Sequence, residues 1–432
     1  MDYSRFLNAV ARKREPLLIR ELFALQQKAP RDVVFLTTGV PNPDTFPIVS
    51  GSLQLRDGRT LTLDPGKMEQ CLQYGPTPGY PPLLEQLRAL TQKLHSPPGW
   101  GERELVVTTG SQSGLLMAME MMLNPGDPVL VEQPCYTGAL SIMSPHSPRF
   151  LPVEADEYGL RPDSLRAALS PWNPQDIRQA TQGVPKFLYT VPTGSNPTGV
   201  VATEERRREV YKIAQMYNLI ILEDDPYYFL QYHGKSFAPS YLQLDADGRV
   251  LRFDSFSKVV AAGLRVGWVT GPKPLIRKLN LHKGAAVIST ASMSQVIISE
   301  LLALWGDEGL DQHTHYLRQY YVAQRDAMLQ AANKYLTGVC EWSVPTGGMF
   351  LWLKVCGVRD TWTMLLERGL EKRVMLVPGQ GFMVDSTKPC QYLRASFSST
   401  TPEEMDKGLC NLAQLIKEET ELQKSVPLLK HG

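Results

Sequence analysis

An excess of charge of either sign, paired cysteines and long apolar runs are all missing from this sequence, and each absence removes a class of function. The chain has 432 residues, with 45 Lys and Arg against 44 Asp and Glu. A net charge of +1 argues against a nucleic-acid partner bound through bulk charge. No segment approaches the roughly 18 apolar residues of a membrane span, so no membrane partner is expected. Six cysteines (Cys71, Cys135, Cys340, Cys356, Cys390 and Cys410) are scattered without a CxxC pair. They form no metal or redox motif and are expected to be reduced thiols. His313 and His315 make an HxH with no third ligand nearby in sequence, so no metal is expected. Internal repeats and low-complexity tracts are absent as well.

What is present is a soluble globular composition, 43% hydrophobic and 21% charged, long enough for two or three domains. Leu83, Leu84, Leu87, Leu90 and Leu94 keep helical spacing after Pro81-Pro82. From about residue 105 to 270, short apolar runs (LVVT, VLVEQ, KFLYTVP, LIILEDD, VLRFDSFS, LRVGWVTG) alternate with helical segments. The helix TEERRREVYKIAQMY opens on Thr203 as an N-cap and ends near Asn218. Continuous apolar strands in a strand–helix rhythm predict a parallel sheet covered on both faces. Beyond Gly309 a long helix to about Tyr335 and less regular alternation predict an α+β part. The class is therefore α/β.

Three stretches carry chemistry. In TTGSQSG, Gly110 frees a tight strand-to-helix turn, and Ser111 and Gln112 fall at a helix N-terminus that favours an anion. TGSNPTG and LEDDPYYF follow apolar strands, at the strand ends where α/β sheets bind ligands. In RFDSFSKVVAAGLRVGWV, Lys258 and Arg265 stand inside a stretch that otherwise reads as core. An unpaired buried cation is costly, so something must meet these two. Pyridoxal 5′-phosphate (PLP) would. It needs a lysine amine, an acid against its ring nitrogen, donors to its ring oxygen and a cradle for its phosphate. Lys258 would supply the amine; Ser255, Ser257 and Arg265 would join Ser111 and Gln112 around the phosphate.

The order of motifs is Y-x4-G at Tyr74, the Gly-Ser-Gln turn, N-P-T-G at Asn196, D-x-x-Y at Asp224, S-x-S-K at Lys258 with Arg265 after it, and R-x-S-F at Arg394. Over nearly the whole chain this resembles the class I/II aminotransferases of PLP fold type I. The stretches TVPTGSNPTG, EDDPYYFLQ, YLRASFS and MDYSRFL are similar to the kynurenine/α-aminoadipate branch of that family. The resemblance implies a large domain (46–320) with a mostly parallel seven-stranded sheet. An arm belonging partly to the small domain (1–45) and a small α+β domain (321–432) complete the chain. It implies that Asp224 pairs with the ring nitrogen, that Asn196 and Tyr227 bond the ring oxygen, and that Tyr136 stacks on the ring. Tyr74 would reach the phosphate of the neighbouring subunit in a homodimer with shared active sites. Arg394 would bind the substrate α-carboxylate, while Arg20, Gly39 and Phe350 line the side-chain pocket. Lys258 would move the α-proton in a ping-pong transfer from an L-amino acid, L-2-aminoadipate or L-kynurenine, to 2-oxoglutarate. Thr38 departs from the family, which usually has a second glycine there.

Three other readings are open: a PLP-dependent β-lyase on cysteine conjugates, a broad aromatic aminotransferase, and a regulatory domain of the same fold fused to a DNA-binding module. Too few residues precede the first expected strand for such a module. Arg5, Arg12, Lys13, Arg14 and Arg20 among apolar residues make a basic, amphipathic start. It suits a mitochondrial address, with a cytoplasmic location as the alternative.

Overall fold

The apolar runs between residues 103 and 272 assemble into one sheet. The structure, a computed structural model, describes residues 1–16, 30, 33, 34, 36, 39–178, 180–232 and 237–425. The strands are β1 (Arg103–Thr108), β2 (Pro128–Gln133), β3 (Arg149–Asp156), β4 (Phe187–Thr190), β5 (Ile220–Asp224), β6 (Val250–Ser255) and β7 (Gly267–Pro272). Their spatial order is β1-β7-β6-β5-β4-β2-β3, and the two-residue strand Gly159–Leu160 extends the edge as an eighth member. β2, β3, β4, β5 and β6 pair in parallel, whereas β7 runs antiparallel to both β1 and β6. β4 to β7 are buried throughout, as strands covered on both faces must be.

Strand direction places the motifs. β1, β2, β4, β5 and β6 all end at one edge, so the loops after Thr108, Gln133, Thr190, Asp224 and Ser255 emerge together. β7 begins at that edge, with Gly267 opposite both Ser255 and Thr108. Its reversed direction therefore brings Arg265, two residues upstream, to the same place.

Helix boundaries follow their caps. Thr203 accepts a hydrogen bond from the Arg206 amide at the start of the helix Glu204–Met216. Asn218, at φ 49°, lies in the left-handed region just beyond its end. Two expectations need correction. The strand VLRFDSFS stops at Ser255, because its hydroxyl accepts from the Ser257 amide and turns Phe256–Lys258 into a 3-10 turn. The long helix begins at Ser292, well before Gly309, and is kinked at Gly306 (φ 60°). A second, antiparallel sheet follows, formed by β8 (Cys340–Trp342), β9 (Phe350–Val355), β10 (Val377–Pro378) and β11 (Tyr392–Ser396) in the order β8-β9-β11-β10.

Behind the site edge lies a buried charge cluster. The Arg252 guanidinium meets Asp225 at 2.9 Å, Glu223 at 3.2 Å and Asp254 at 2.8 Å, and lies 4.9 Å over the Tyr228 ring. All four charged side chains are buried. Burial pushes the Asp254 carboxyl up to about 7, and Arg252 holds it back from rising further. Removing the cation would strand three buried carboxylates. Arg252→Leu is expected to cost about 3–5 kcal/mol in a denaturant titration. The loss should be larger at pH 8 than at pH 6, because carboxylates freed of their cation stay protonated, and so tolerable, only at the lower pH.

Candidate active site

The loops at the strand ends enclose a cavity of about 330 Å³. Its lining includes twelve of the residues singled out from the sequence: Ser111, Gln112, Tyr136, Asn196, Asp224, Tyr227, Ser255, Ser257, Lys258, Arg265, Phe350 and Arg394. A larger cavity of about 520 Å³ lies between the end of β3 and the second sheet. Its lysine, Lys354, is paired with Glu341 at 3.0 Å, so it offers no free amine.

The Lys258 ammonium makes no hydrogen bond or ion pair among the described residues. Burial lowers its pKa first, and the nearby Arg265 and Arg394 lower it further. A lysine that gives up its proton readily is suited to imine chemistry and proton transfer. Arg265 sits in the left-handed region at φ 54°, a strained conformation for a residue with a side chain. From there Nη1 donates to Ser257 Oγ and Ala262 O, both at 3.2 Å, and the Ser255 hydroxyl donates to Ser257 Oγ at 2.9 Å. Gly110 has φ +74°, and a Cβ there would lie 2.4 Å from Arg265 Nη2. Only glycine lets the guanidinium come so close to the N-terminus of the helix Gly110–Met122. Two serine hydroxyls, a guanidinium and free helix amides together make a cradle for a phosphate.

Asp224, at the end of β5, supplies the opposite charge. The Tyr189 hydroxyl donates to its Oδ2 at 2.8 Å, while the buried Oδ1 has no partner among the described residues. Burial raises its pKa to about 7; the Tyr189 bond works against that rise, and Asp225 and Asp254 add to it. An acid with one oxygen anchored and the other aimed at a cationic partner fits a pyridinium nitrogen. The orphaned Oδ1, the free amine and the phosphate cradle all fit PLP. Asn196 and Tyr227 offer donors for its ring oxygen. Tyr136, half-buried before the helix Thr137–Met143, lines the same cavity.

A model of the family "Aminotransferase class I and II" matches residues 31–412. The chain belongs to the class I and II aminotransferases. It is thus a PLP-dependent aminotransferase of fold type I. The kynurenine/alpha-aminoadipate aminotransferase, mitochondrial, of Bos taurus is 45% identical over 424 residues, covering 97% of this chain and 100% of that protein. The solved kynurenine aminotransferase of Pyrococcus horikoshii, in complex with PMP, is 33% identical with a TM-score of 0.75, covering 97% of this chain and 98% of that one. The aminotransferase Aro8 of Candida albicans has a TM-score of 0.84 at 25% identity, covering 98% of this chain and 99% of that one.

Two expected site residues, Tyr74 and Gly39, do not line this aminotransferase's cavity. Tyr74 is 60% exposed and lies in a separate surface depression with Val287 and Ile288. Gly39 is exposed, with open space where a Cβ would stand. Arg20 lies outside the described residues, as does Thr38. Conversely, the sequence reading missed Tyr189 as the partner of Asp224, and Phe382, whose ring lies 5.2 Å from the Arg394 guanidinium carbon. A hydroxyl inside the apolar run FLYT was the available signal for Tyr189; Phe382 gave none.

Asp224 also has a measurable cost. An acid whose pKa is raised on folding makes the native state bind an extra proton, so stability falls as pH rises from the unfolded value, about 3.9, towards about 7. In cofactor-free protein, Asp224→Asn should raise the melting temperature relative to the parent at pH 8 and change it little at pH 4. The same variant should lose cofactor affinity, read by absorbance titration of the apoprotein with PLP.

Proposed function

We propose that this enzyme transfers the amino group of L-2-aminoadipate or L-kynurenine to 2-oxoglutarate by a ping-pong route, with Arg394 receiving the α-carboxylate. One observation carries the assignment of Arg394. Among the described residues its guanidinium, which faces the cavity, has no carboxylate partner: Nη1 donates to Asn196 Oδ1 at 2.8 Å, and the buried Nε meets no acceptor. A fork kept unpaired beside a reactive amine suits an incoming carboxylate. The amino-acid class follows the name of the bovine relative.

When bound, PLP supplies the electron sink that makes the α-proton of an amino acid removable. The chain's own residues do the rest. Arg394 orients the α-carboxylate, which fixes the α-carbon. Lys258, more acidic than a free lysine, is the chain's own base: its amine would take the proton from the α-carbon and hold it at Nζ. Asp224 would hold the ring nitrogen, with the Tyr189 hydroxyl keeping the carboxylate from turning. Ser111, Gln112, Ser255, Ser257 and Arg265 would hold the phosphate, and Asn196 and Tyr227 the ring oxygen. Phe350 closes the substrate side, to which Gly39 and Arg20 are assigned as well.

The reading extends to a homodimer. Tyr74 points out of its own site, beside exposed Val287 and Ile288, as a residue serving a second copy's phosphate would. The domain division at about residues 45 and 320 belongs to the same reading. So does a mitochondrial location, after the bovine relative's name.

Two measurements test this. In single half-reactions, L-2-aminoadipate and L-kynurenine should convert the cofactor to its aminated form faster than a panel of other amino acids; equal or absent conversion defeats the substrate assignment. Arg394→Ala should raise KM for both the amino donor and 2-oxoglutarate by about 10- to 100-fold, as expected for a lost charged hydrogen bond.

A further inference from the structure

We propose that Phe382 is a positioning residue that, together with Phe350, holds the Arg394 guanidinium oriented and uncompensated for the substrate carboxylate. This rests on the reading that Arg394 receives that carboxylate.

Arg394 poses a physical problem. It is half-buried, and burial lowers its pKa, so it has given up much of its hydration. No carboxylate pairs with it among the described residues. A protein carboxylate would stabilise the cation but occupy the fork the substrate needs. Aromatic faces offer another solution, because their quadrupole attracts a cation without carrying charge and leaves the N–H groups open. The guanidinium carbon lies 4.3 Å from the centre of the Phe350 ring and 5.2 Å from that of Phe382.

The Phe382 ring is itself fixed. It is fully buried, in the short turn Gly379–Phe382. The edge-to-face contact with Trp352 sets its plane, with centres 5.5 Å apart at 82°. Trp352 stands opposite Arg394 across the β9–β11 pair and stacks on Tyr392 at 5.2 Å. The Phe382 carbonyl accepts from the Cys135 amide at 2.7 Å, which ties the turn to the residue before Tyr136. The second sheet thus presents its arginine to the first through a ring anchored to both. An aliphatic side chain would fill the same space without attracting the cation.

The test compares Phe382→Leu with Phe382→Tyr in holoenzyme, reading KM, kcat and the Kd of glutarate, a dicarboxylate with no amino group. Phe382→Leu should raise both KM values and the glutarate Kd by about five- to twentyfold, with kcat little changed because the lost interaction is uniform binding. Phe382→Tyr, which keeps the ring, should restore all three. Should the leucine variant melt below assay temperature, Phe382→Met replaces it and is read the same way. A leucine or methionine variant matching the parent, or a tyrosine variant falling as far as leucine, overturns the proposal. Arg394→Ala separates the two claims. If it leaves the glutarate Kd unchanged, the reading of Arg394 itself fails. If it weakens glutarate while Phe382→Leu does not, only the role of Phe382 falls.

Discussion

Three cations, Lys258, Arg265 and Arg394, are held around one cavity, and none is paired with a carboxylate among the described residues. Keeping them unpaired is the constraint on which the rest of the site depends. Each cation needs some compensation for lost hydration, yet full neutralisation would remove its chemistry. The fold answers differently for each. Lys258 becomes more acidic, Arg265 spends its donors on a serine hydroxyl and backbone carbonyls, and Arg394 lies against two aromatic rings. The acids are kept apart, behind the cavity, where Arg252 gathers Glu223, Asp225 and Asp254. Asp224 alone among this acidic group lines the cavity, anchored by the neutral hydroxyl of Tyr189. An arginine partner there would have cancelled the charge a pyridinium nitrogen requires.

Strand polarity makes this separation possible. Parallel strands deliver their loops to one edge, which accounts for residues 111, 136, 196, 224 and 258 meeting although they are spread over about a third of the chain. The reversed strand β7 is the exception that completes the set, because only a strand entering from that edge can place Arg265 beside the Gly110 turn. Arg394 comes from the other sheet, and its hydrogen bond to Asn196 spans 198 residues of sequence. The arginine proposed for the substrate carboxylate is thereby coupled to the asparagine assigned to the cofactor's ring oxygen.

Legibility in the sequence followed how local each feature was. The Gly110-Ser111-Gln112 turn, the Ser255–Lys258 segment and the helix cap at Thr203 are written in consecutive residues, and each forms as its chemistry dictates. Tyr189 and Asp224 lie on different strands, and their contact depends on β4 and β5 being neighbours, which no local pattern specifies. Arg252 carries no local signal of its role, since its three carboxylate partners come from the end of β5 and from β6. Phe382 carries no local signal either, because proximity to a cation is set by sheet-on-sheet packing. Tyr74 is legible as a motif, yet within a single copy it faces outward.

The sequence by itself determined the residue types that PLP chemistry requires and the strand–helix rhythm that carries them, because both are encoded over a few residues at a time. Only the tertiary structure decided which acids Arg252 takes up, which oxygen of Asp224 stays open, and which rings face Arg394. Those outcomes depend on strand order and on the packing of two sheets, where residues far apart along the chain compete for the same charges.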